Sequence, residues 1–206
     1  ADVVVIGSGL SGLIAAWQAG LGGLKVKIIT KGWGTTYWST GCIDIMGYEP
    51  PDFTHRIDSP AKSLDGLFKA HSNHPYARLG QDGLEKAIIS FLNLCDEFGY
   101  RYHGSLDSNL LLPTALGSVR PTCLAPMTMI AGDIHQPASM LIVGFSHFLD
   151  FYPTLIADNL NAQGIFARDI SLDLKSLQTR KFLSGMVFAR LFDNPEFRQE
   201  VIDAIK

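Results

Sequence analysis

The sequence has little charge of either sign and few cysteines. Asp, Glu, Lys and Arg make up 18% of its 206 residues, and the net charge is -3. That near-balance builds no broad basic field, which excludes nucleic acid or an anionic membrane recognised by charge. The three cysteines, Cys42, Cys95 and Cys123, are odd in number and far apart. They have neither CxxC metal spacing nor the even count of a disulfide framework, so a reducing interior is the expected setting. His55, His71, His103, His135 and His147 show no metal-ligand spacing, and no metal is expected. Long apolar runs are missing too. Met140–Phe145, the longest near the middle of the chain, falls well short of the ~20 residues of a spanning helix. No basic stretch precedes the apolar N-terminal segment, so it does not read as a signal peptide, and Ala1 in place of Met reads as a trimmed or processed start. Repeats and low-complexity tracts are absent. The apolar share, 47%, is enough for a real core and argues against disorder. The length suits one large domain or a domain with an insert.

The first thirty residues carry the clearest pattern. Ala1–Ile6 reads as a buried strand with consecutive β-branched residues from Val3 to Ile6. Leu10–Gly20 reads as a helix with Leu13, Ala16 and Trp17 at helical spacing, ended by Gly22 and Gly23. Lys25–Thr30 is a second strand. Strand, turn, helix, turn and strand in this length make a βαβ unit.

Between the first strand and the helix, Gly7-Ser8-Gly9-Leu10-Ser11-Gly12 fits G-x-G-x-x-G. Gly7 permits the tight turn, Gly9 lets backbone approach a pyrophosphate, and Gly12 lets the helix pack close to the strand. The anion then faces the free N–H groups and the positive end of the helix. The six-residue pattern alone is weak, and its placement between strand and helix raises it. A dinucleotide site usually ends its second strand with an acid for the ribose hydroxyls. Here that strand ends Thr30-Lys31-Gly32. The absent acid argues mildly against NAD and leaves a flavin site open.

Beyond this unit, Lys31–Gly47 reads as a loop or short helical turn, and Leu64–Ser72 and Gly83–Phe98 read as helices. Tyr100–His103 and stretches of Pro121–Gln136 read as extended. Leu141–Gly144 and Ile165–Leu172 read as strands, and His147–Ala162 as helical, with Pro153 starting a helix rather than sitting within one. Lys181–Lys206 reads as mostly helical with a break at Asn194-Pro195. Phe145, Phe148 and Phe151 have helical spacing and read as core.

Val3–Gly12, Ile28–Gly32 and Ser39-Thr40-Gly41-Cys42-Ile43-Asp44 resemble the flavin-binding subunits of the fumarate reductase and L-aspartate oxidase group. More specifically, His74–Gly80, Pro113–Thr122 and Val143–Phe151 are similar to the B subunits of anaerobic glycerol-3-phosphate dehydrogenases, and the similarity runs over nearly the whole chain. The resemblance implies an α/β, Rossmann-like FAD/NAD(P)-binding fold with a central parallel sheet and an inserted, partly helical substrate or cap region. It divides the chain into a flavin-binding domain of residues 1–48 and about 140–206, with 49–139 as an inserted cap or partner-contact region. It implies FMN or FAD as cofactor, with oxidation of glycerol 3-phosphate to dihydroxyacetone phosphate and electrons passed to a quinone. The implied partners are a catalytic subunit and an iron–sulfur or membrane-anchor subunit. The implied location is cytoplasmic, with peripheral attachment to the inner face of the membrane through those partners. Members of the group are roughly twice this length on the domain-size scale and close the flavin site with a C-terminal segment. The expectation is therefore a fragment or a truncated paralogue with an incomplete flavin site.

The expected cofactor-binding residues are Gly7, Ser8, Gly9, Leu10, Ser11, Gly12, Thr30, Lys31, Gly32, Ser39, Thr40, Gly41 and Arg120. Ser39, Thr40 and Gly41 read as donors to the flavin or as an ordinary polar loop. Lys31 reads equally as a phosphate contact or a solvated side chain, and Arg120 as a phosphate anchor or a surface ion pair. His74, held out of helix by Pro75, is a minority candidate for an acid/base. Cys42 reads as a small hydrophobe before a redox tuner. No catalytic residue is assigned. Three functions remain open: the glycerol-3-phosphate dehydrogenase flavin subunit, a fumarate-reductase-like or amine-oxidase-like flavoenzyme, and a non-catalytic assembly subunit that has lost its flavin.

Overall fold

The structure, a computed structural model, describes residues 1–136, 139–178 and 182–206. It divides into two compact units, Ala1–Ile43 and Asp44–Lys206.

In the first unit, β1 (Val3–Ile6) and β2 (Val26–Ile29) pair in parallel, with Val3 opposite Val26 and Ile6 opposite Ile29. The β-branched side chains suit the pleated backbone. Helix α1 (Leu10–Leu21) connects the strands. It ends where Gly22 N–H donates to Gln18 O at 3.1 Å and Leu24 N–H to Ala19 O at 3.1 Å. Gly23, at φ +81°, takes the left-handed turn that a side chain disfavours. A 3-10 turn follows at Thr35–Trp38.

The second unit opens with an irregular segment. Helix α2 (Pro60–Ala70) and helix α3 (Pro75–Glu97) follow, the latter kinked at Gly80. Both start at a proline, whose fixed φ and missing N–H fit the first helical position. Sequence periodicity places both starts later, because the first apolar repeats fall after the first turn. Strands β3 (Tyr102–Gly104), β4 (Leu110–Pro113), β5 (Val119–Thr122) and β6 (Leu124–Pro126) form two antiparallel pairs, β3 with β6 and β4 with β5. Part of the stretch that reads as extended is instead a 3-10 turn, Met127–Gly132.

A second parallel βαβ arrangement comes next. Strands β7 (Met140–Phe145) and β8 (Ala167–Leu172) pair in parallel around helix α4 (Pro153–Asn161). The helix starts at Pro153, and the expected turn at His147 is not helical. Helices α5 (Gly185–Leu191) and α6 (Pro195–Ile205) complete the chain. Lys181, where the sequence places the start of a helical stretch, lies outside the described residues. The fold class is thus α/β, with parallel pairing once in each unit. No helix among the described residues is long and apolar enough to cross a membrane.

Two cores hold this second arrangement. One packs Ile156, Ala157 and Leu160 of α4 against Ala167 of β8. The other gathers Leu172, Leu174, Leu177, Leu183, Phe188, Phe197 and Val201, with Phe145 and Phe148 packed on it. Phe148 stacks on Phe188 at a centroid distance of 4.8 Å, and Phe145 meets the same ring edge-on at 4.6 Å. Edge and offset contacts of this kind suit the ring quadrupoles. Phe145 and Phe148 are therefore core as expected. Their spacing is not helical, since Phe145 ends β7 and Phe148 lies in the loop after it.

Cys123 is fully buried, and its Sγ–H donates to Ser105 O at 3.2 Å. Burial, and then the Asp44 charge, push its thiol up to about 12. The thiolate is the reactive form. Iodoacetamide at pH 8 is therefore expected to leave Cys123 unmodified in the folded chain of a Cys42→Ser, Cys95→Ala variant. Labelling, read by peptide mass, should rise only across the urea unfolding transition.

Candidate functional site

The glycine-rich turn sits between the end of β1 and the start of α1. Gly7 has φ +105°, a conformation that L side chains rarely adopt. Gly9 is the N-cap of α1 at φ -70° and ψ 167°, and no side chain caps this end. The first-turn N–H groups of a helix have no acceptor within it, so this end is available to an anion. A Cβ built on Gly9 would meet nothing within 4 Å, which leaves space for a ligand above the backbone. A Cβ on Gly12 would lie 2.8 Å from Gly7 O, so close packing of helix on turn requires glycine there.

The loop after β2 is braced against this turn. Ser8 Oγ donates to Gly32 O at 2.5 Å and lies 2.9 Å from Thr30 Oγ1, which also donates to Gly32 O. Gly32 N–H donates to Thr30 Oγ1 at 3.2 Å. Thr30 thus spends its hydroxyl on its own loop, where a dinucleotide site would place an acid. Gly34, at φ +72°, presses so closely on Ser8 and Gly9 that a Cβ would lie 2.8 Å from Ser8 O and 2.9 Å from Gly9 N. Trp33, which directly precedes Gly34 in the chain, is 81% exposed, and Tyr37 packs on it at 6.4 Å between centroids. Lys31 is exposed and has no ion pair among the described residues. Further along, Ser39 Oγ donates to Thr36 O at 3.0 Å and accepts from Gly41 N–H at 3.3 Å, and Cys42 N–H donates to Thr40 Oγ1 at 3.4 Å. Ser39 and Thr40 therefore stabilise their own loop.

These groups suit a pyrophosphate: an uncapped helix end, a glycine with free space above it, and a backbone-braced loop. Gly7, Ser8, Gly9, Leu10, Ser11, Gly12, Thr30, Lys31, Gly32, Ser39, Thr40 and Gly41 all lie in the first unit. Arg120 lies in the second, where its Nη2 donates to the Asp44 carboxylate. Both side chains are half-exposed, and ion pairs of that kind contribute about 0–1 kcal/mol.

Sequence reading misses the Asn109 tie of the second unit and the capping role of His74. Asn109 is buried, and its Nδ2 donates to Met46 O at 2.9 Å and Ile57 O at 2.8 Å. The residues of this tie are too far apart in sequence for any local pattern to show it. His74 Nδ1 accepts from Tyr76 N–H at 3.2 Å and caps α3. A polar acceptor directly before Pro75 is the available signal. Burial, with smaller contributions from Cys123 and Asp44, raises the Tyr76 phenol above its ordinary pKa.

The FAD binding domain family matches residues 2–182. The chain is similar to the B subunit of the anaerobic glycerol-3-phosphate dehydrogenase of Pectobacterium atrosepticum, at 29% identity over 211 residues that cover 99% of this chain and 50% of the relative. The protein of that description from Mannheimia succiniciproducens is 32% identical over 169 residues, 81% of this chain and 39% of the relative. That from Yersinia enterocolitica is 29% identical over 215 residues, 99% and 50%. The chain spans about half the length of the curated relatives it matches. No solved structure matches.

Proposed function

The chain belongs to the FAD binding domain family, a Rossmann-like flavin-binding fold, and from that premise we propose that it supplies the nucleotide-binding part of a flavin-carrying glycerol-3-phosphate dehydrogenase subunit. The observation that carries this reading is the open Gly9 position at the uncapped start of α1. There the backbone N–H groups of the turn and the first helical residues hold the flavin's phosphate. Gly12 keeps the helix seated, and Ser8 and Thr30 hold the loop after β2 in place. A flavin held there would supply the electron acceptor for oxidation of glycerol 3-phosphate to dihydroxyacetone phosphate. The relatives are named as one subunit of a larger enzyme, so in this reading the electrons leave through partner subunits to a quinone. Those partners include a catalytic subunit and an iron–sulfur or membrane-anchor subunit, with the assembly on the inner face of the membrane.

The domain division of this reading joins residues 1–48 and about 140–206 as the flavin-binding domain, with 49–139 inserted. It is supported by where the pairing types fall: parallel pairs in the outer segments, antiparallel pairs in the middle one. Residues 137–138 and 179–181 of these segments lie outside the described residues.

An absorbance scan after incubation with FMN or FAD tests the cofactor. Bands near ~375 and ~450 nm on the desalted protein are expected of a flavin carrier. Tryptophan emission should fall on binding, because Trp33 directly precedes Gly34, whose backbone packs on the turn. A protein that stays colourless with both flavins overturns the reading. Bleaching of the ~450 nm band by glycerol 3-phosphate, with the partner subunits present, and not by succinate, tests the substrate.

A further inference from the structure

The first unit lacks the acid that usually grips a dinucleotide at its ribose, and it carries aromatic surface close to the same place. Residues 3–43 contain no Asp or Glu. Asp2 accepts from Lys25 N–H at 2.8 Å, before β1 and β2 begin and at the far end of the strands from the turn. Thr30 offers no substitute, since its hydroxyl is held by Ser8 and Gly32. Trp33, Tyr37 and Trp38 follow in the loop after β2, and they are 81%, 67% and 69% exposed. Trp33 and Tyr37 lie at an interplanar angle of 27°, and Tyr37 meets Trp38 edge-on at 5.1 Å. Rings of this size are mostly buried on average, and apolar surface gathered in water marks a binding site. The loop is seated on the turn by its backbone. A Cβ on Gly34 would lie 2.9 Å from Gly9 N. With one Cα step of about 3.8 Å, that contact holds the Trp33 backbone within about 8 Å of Gly9 N. The end of the second strand is also where such a site places the adenosine ribose.

We propose that Trp33, backed by Tyr37, stacks on the adenine of the flavin dinucleotide and makes this chain select FAD over FMN. An aromatic face holds a base through its π surface and needs no charge, so the stack stands in for the missing acid. The exposed ring faces and the absent carboxylates are the two observations that carry this. The inference rests on the flavin reading above and adds to it the residue that chooses between the two flavins.

Calorimetric titration of the chain with FAD, FMN and ADP tests this. The wild type is expected to bind FAD more tightly than FMN, and to bind ADP. Trp33→Ala should weaken FAD and ADP about 5- to 100-fold, the worth of one base–aromatic stack. FMN affinity and thermal melting should stay unchanged, since the side chain lies in water. Trp33→Phe keeps an aromatic face and should restore most of the loss. A wild type that binds FMN as tightly as FAD overturns the proposal, as does a Trp33→Ala variant that keeps the preference for FAD. Equal losses for FMN and FAD would put the isoalloxazine on Trp33 and overturn the assignment to adenine. The arms separate the two readings. Flavin uptake without any effect of Trp33→Ala overturns only the stack. Trp33-dependent binding of ADP by a chain that takes up neither flavin supports the adenine stack and overturns the flavin reading. Binding of none of the three overturns both.

Discussion

Gly9→Asp is expected to abolish flavin binding while leaving the fold as stable as before. Gly9 sits at φ -70° and ψ 167°, open to any residue, and its Cβ direction is empty to 4 Å. Aspartate is among the best N-cap residues and favours the positive end of α1, so the helix is held or strengthened by about 1 kcal/mol. The same carboxylate occupies the space meant for a phosphate and repels it. At about 4 Å and a surface dielectric that repulsion is worth about 4 kcal/mol, so a loss on the order of 100-fold or more in affinity is expected. Gly12→Ala acts on the other term. Its Cβ meets Gly7 O at 2.8 Å, and backbone cannot swing aside as a side chain does. Overpacking of this sort costs about 1–3 kcal/mol, only partly offset by the higher helix propensity of alanine. Flavin titration by fluorescence and thermal melting of both variants give the comparison. Equal flavin affinity in wild type and Gly9→Asp would remove the turn from the ligand site.

Asn109→Ala is expected to lower unfolding free energy by about 2–4 kcal/mol, because it strands two buried carbonyls at once. Asn109 is 2% exposed, and both its Nδ2 protons are used, on Met46 O and Ile57 O. Between those two residues the chain has no helix, and a single bridge, Tyr48 with Arg56, is its only strand-like pairing among the described residues. Beside the backbone hydrogen bonds from Ile57 N–H to Gly47 O at 2.9 Å and from Glu49 N–H to His55 O at 2.8 Å, the Asn109 side chain ties both ends of the segment. Because Met46 and Ile57 are the residues it holds, the variant should also expose residues 46–57 to limited proteolysis before the global transition. Urea unfolding followed by circular dichroism measures the first effect, and peptide mapping the second. Unchanged proteolysis would mean that the segment is held by other contacts.

Much of the first unit is legible because its signals are local. Val3–Ile6 and Val26–Ile29 lie in runs of β-branched residues, and the glycines between strand and helix answer to backbone sterics within six positions. The strands and helix of the second arrangement are legible for the same reason, apart from the residues before Pro153. Where periodicity is the only guide, the reading slips. Helices α2 and α3 begin at Pro60 and Pro75, one turn or more before their apolar repeats, and Phe145 and Phe148 mimic a helical spacing while lying in a strand and a loop.

The long-range ties of the second unit are not legible. The pairing of Arg120 with Asp44, the ties from Asn109 to Met46 and Ile57, and the gathering of Tyr76 beside Cys123 and Asp44 join positions tens of residues apart. Thr30 shows the division within one residue. Its place at the end of β2, and the missing acid there, follow from the sequence. That its hydroxyl is spent on Gly32 and Ser8 was decided only when the loop folded back on the turn. Steric limits and side-chain propensity act between near neighbours, so the sequence by itself determined the first βαβ unit, its nucleotide turn, and the strands and helix of the second arrangement, while the parallel pairing of β7 with β8 came with the tertiary structure. Burial and hydrogen-bond pairing act between whatever the chain brings together, so the partners of Arg120 and Asn109 and the surroundings of Tyr76 were decided by the tertiary structure alone.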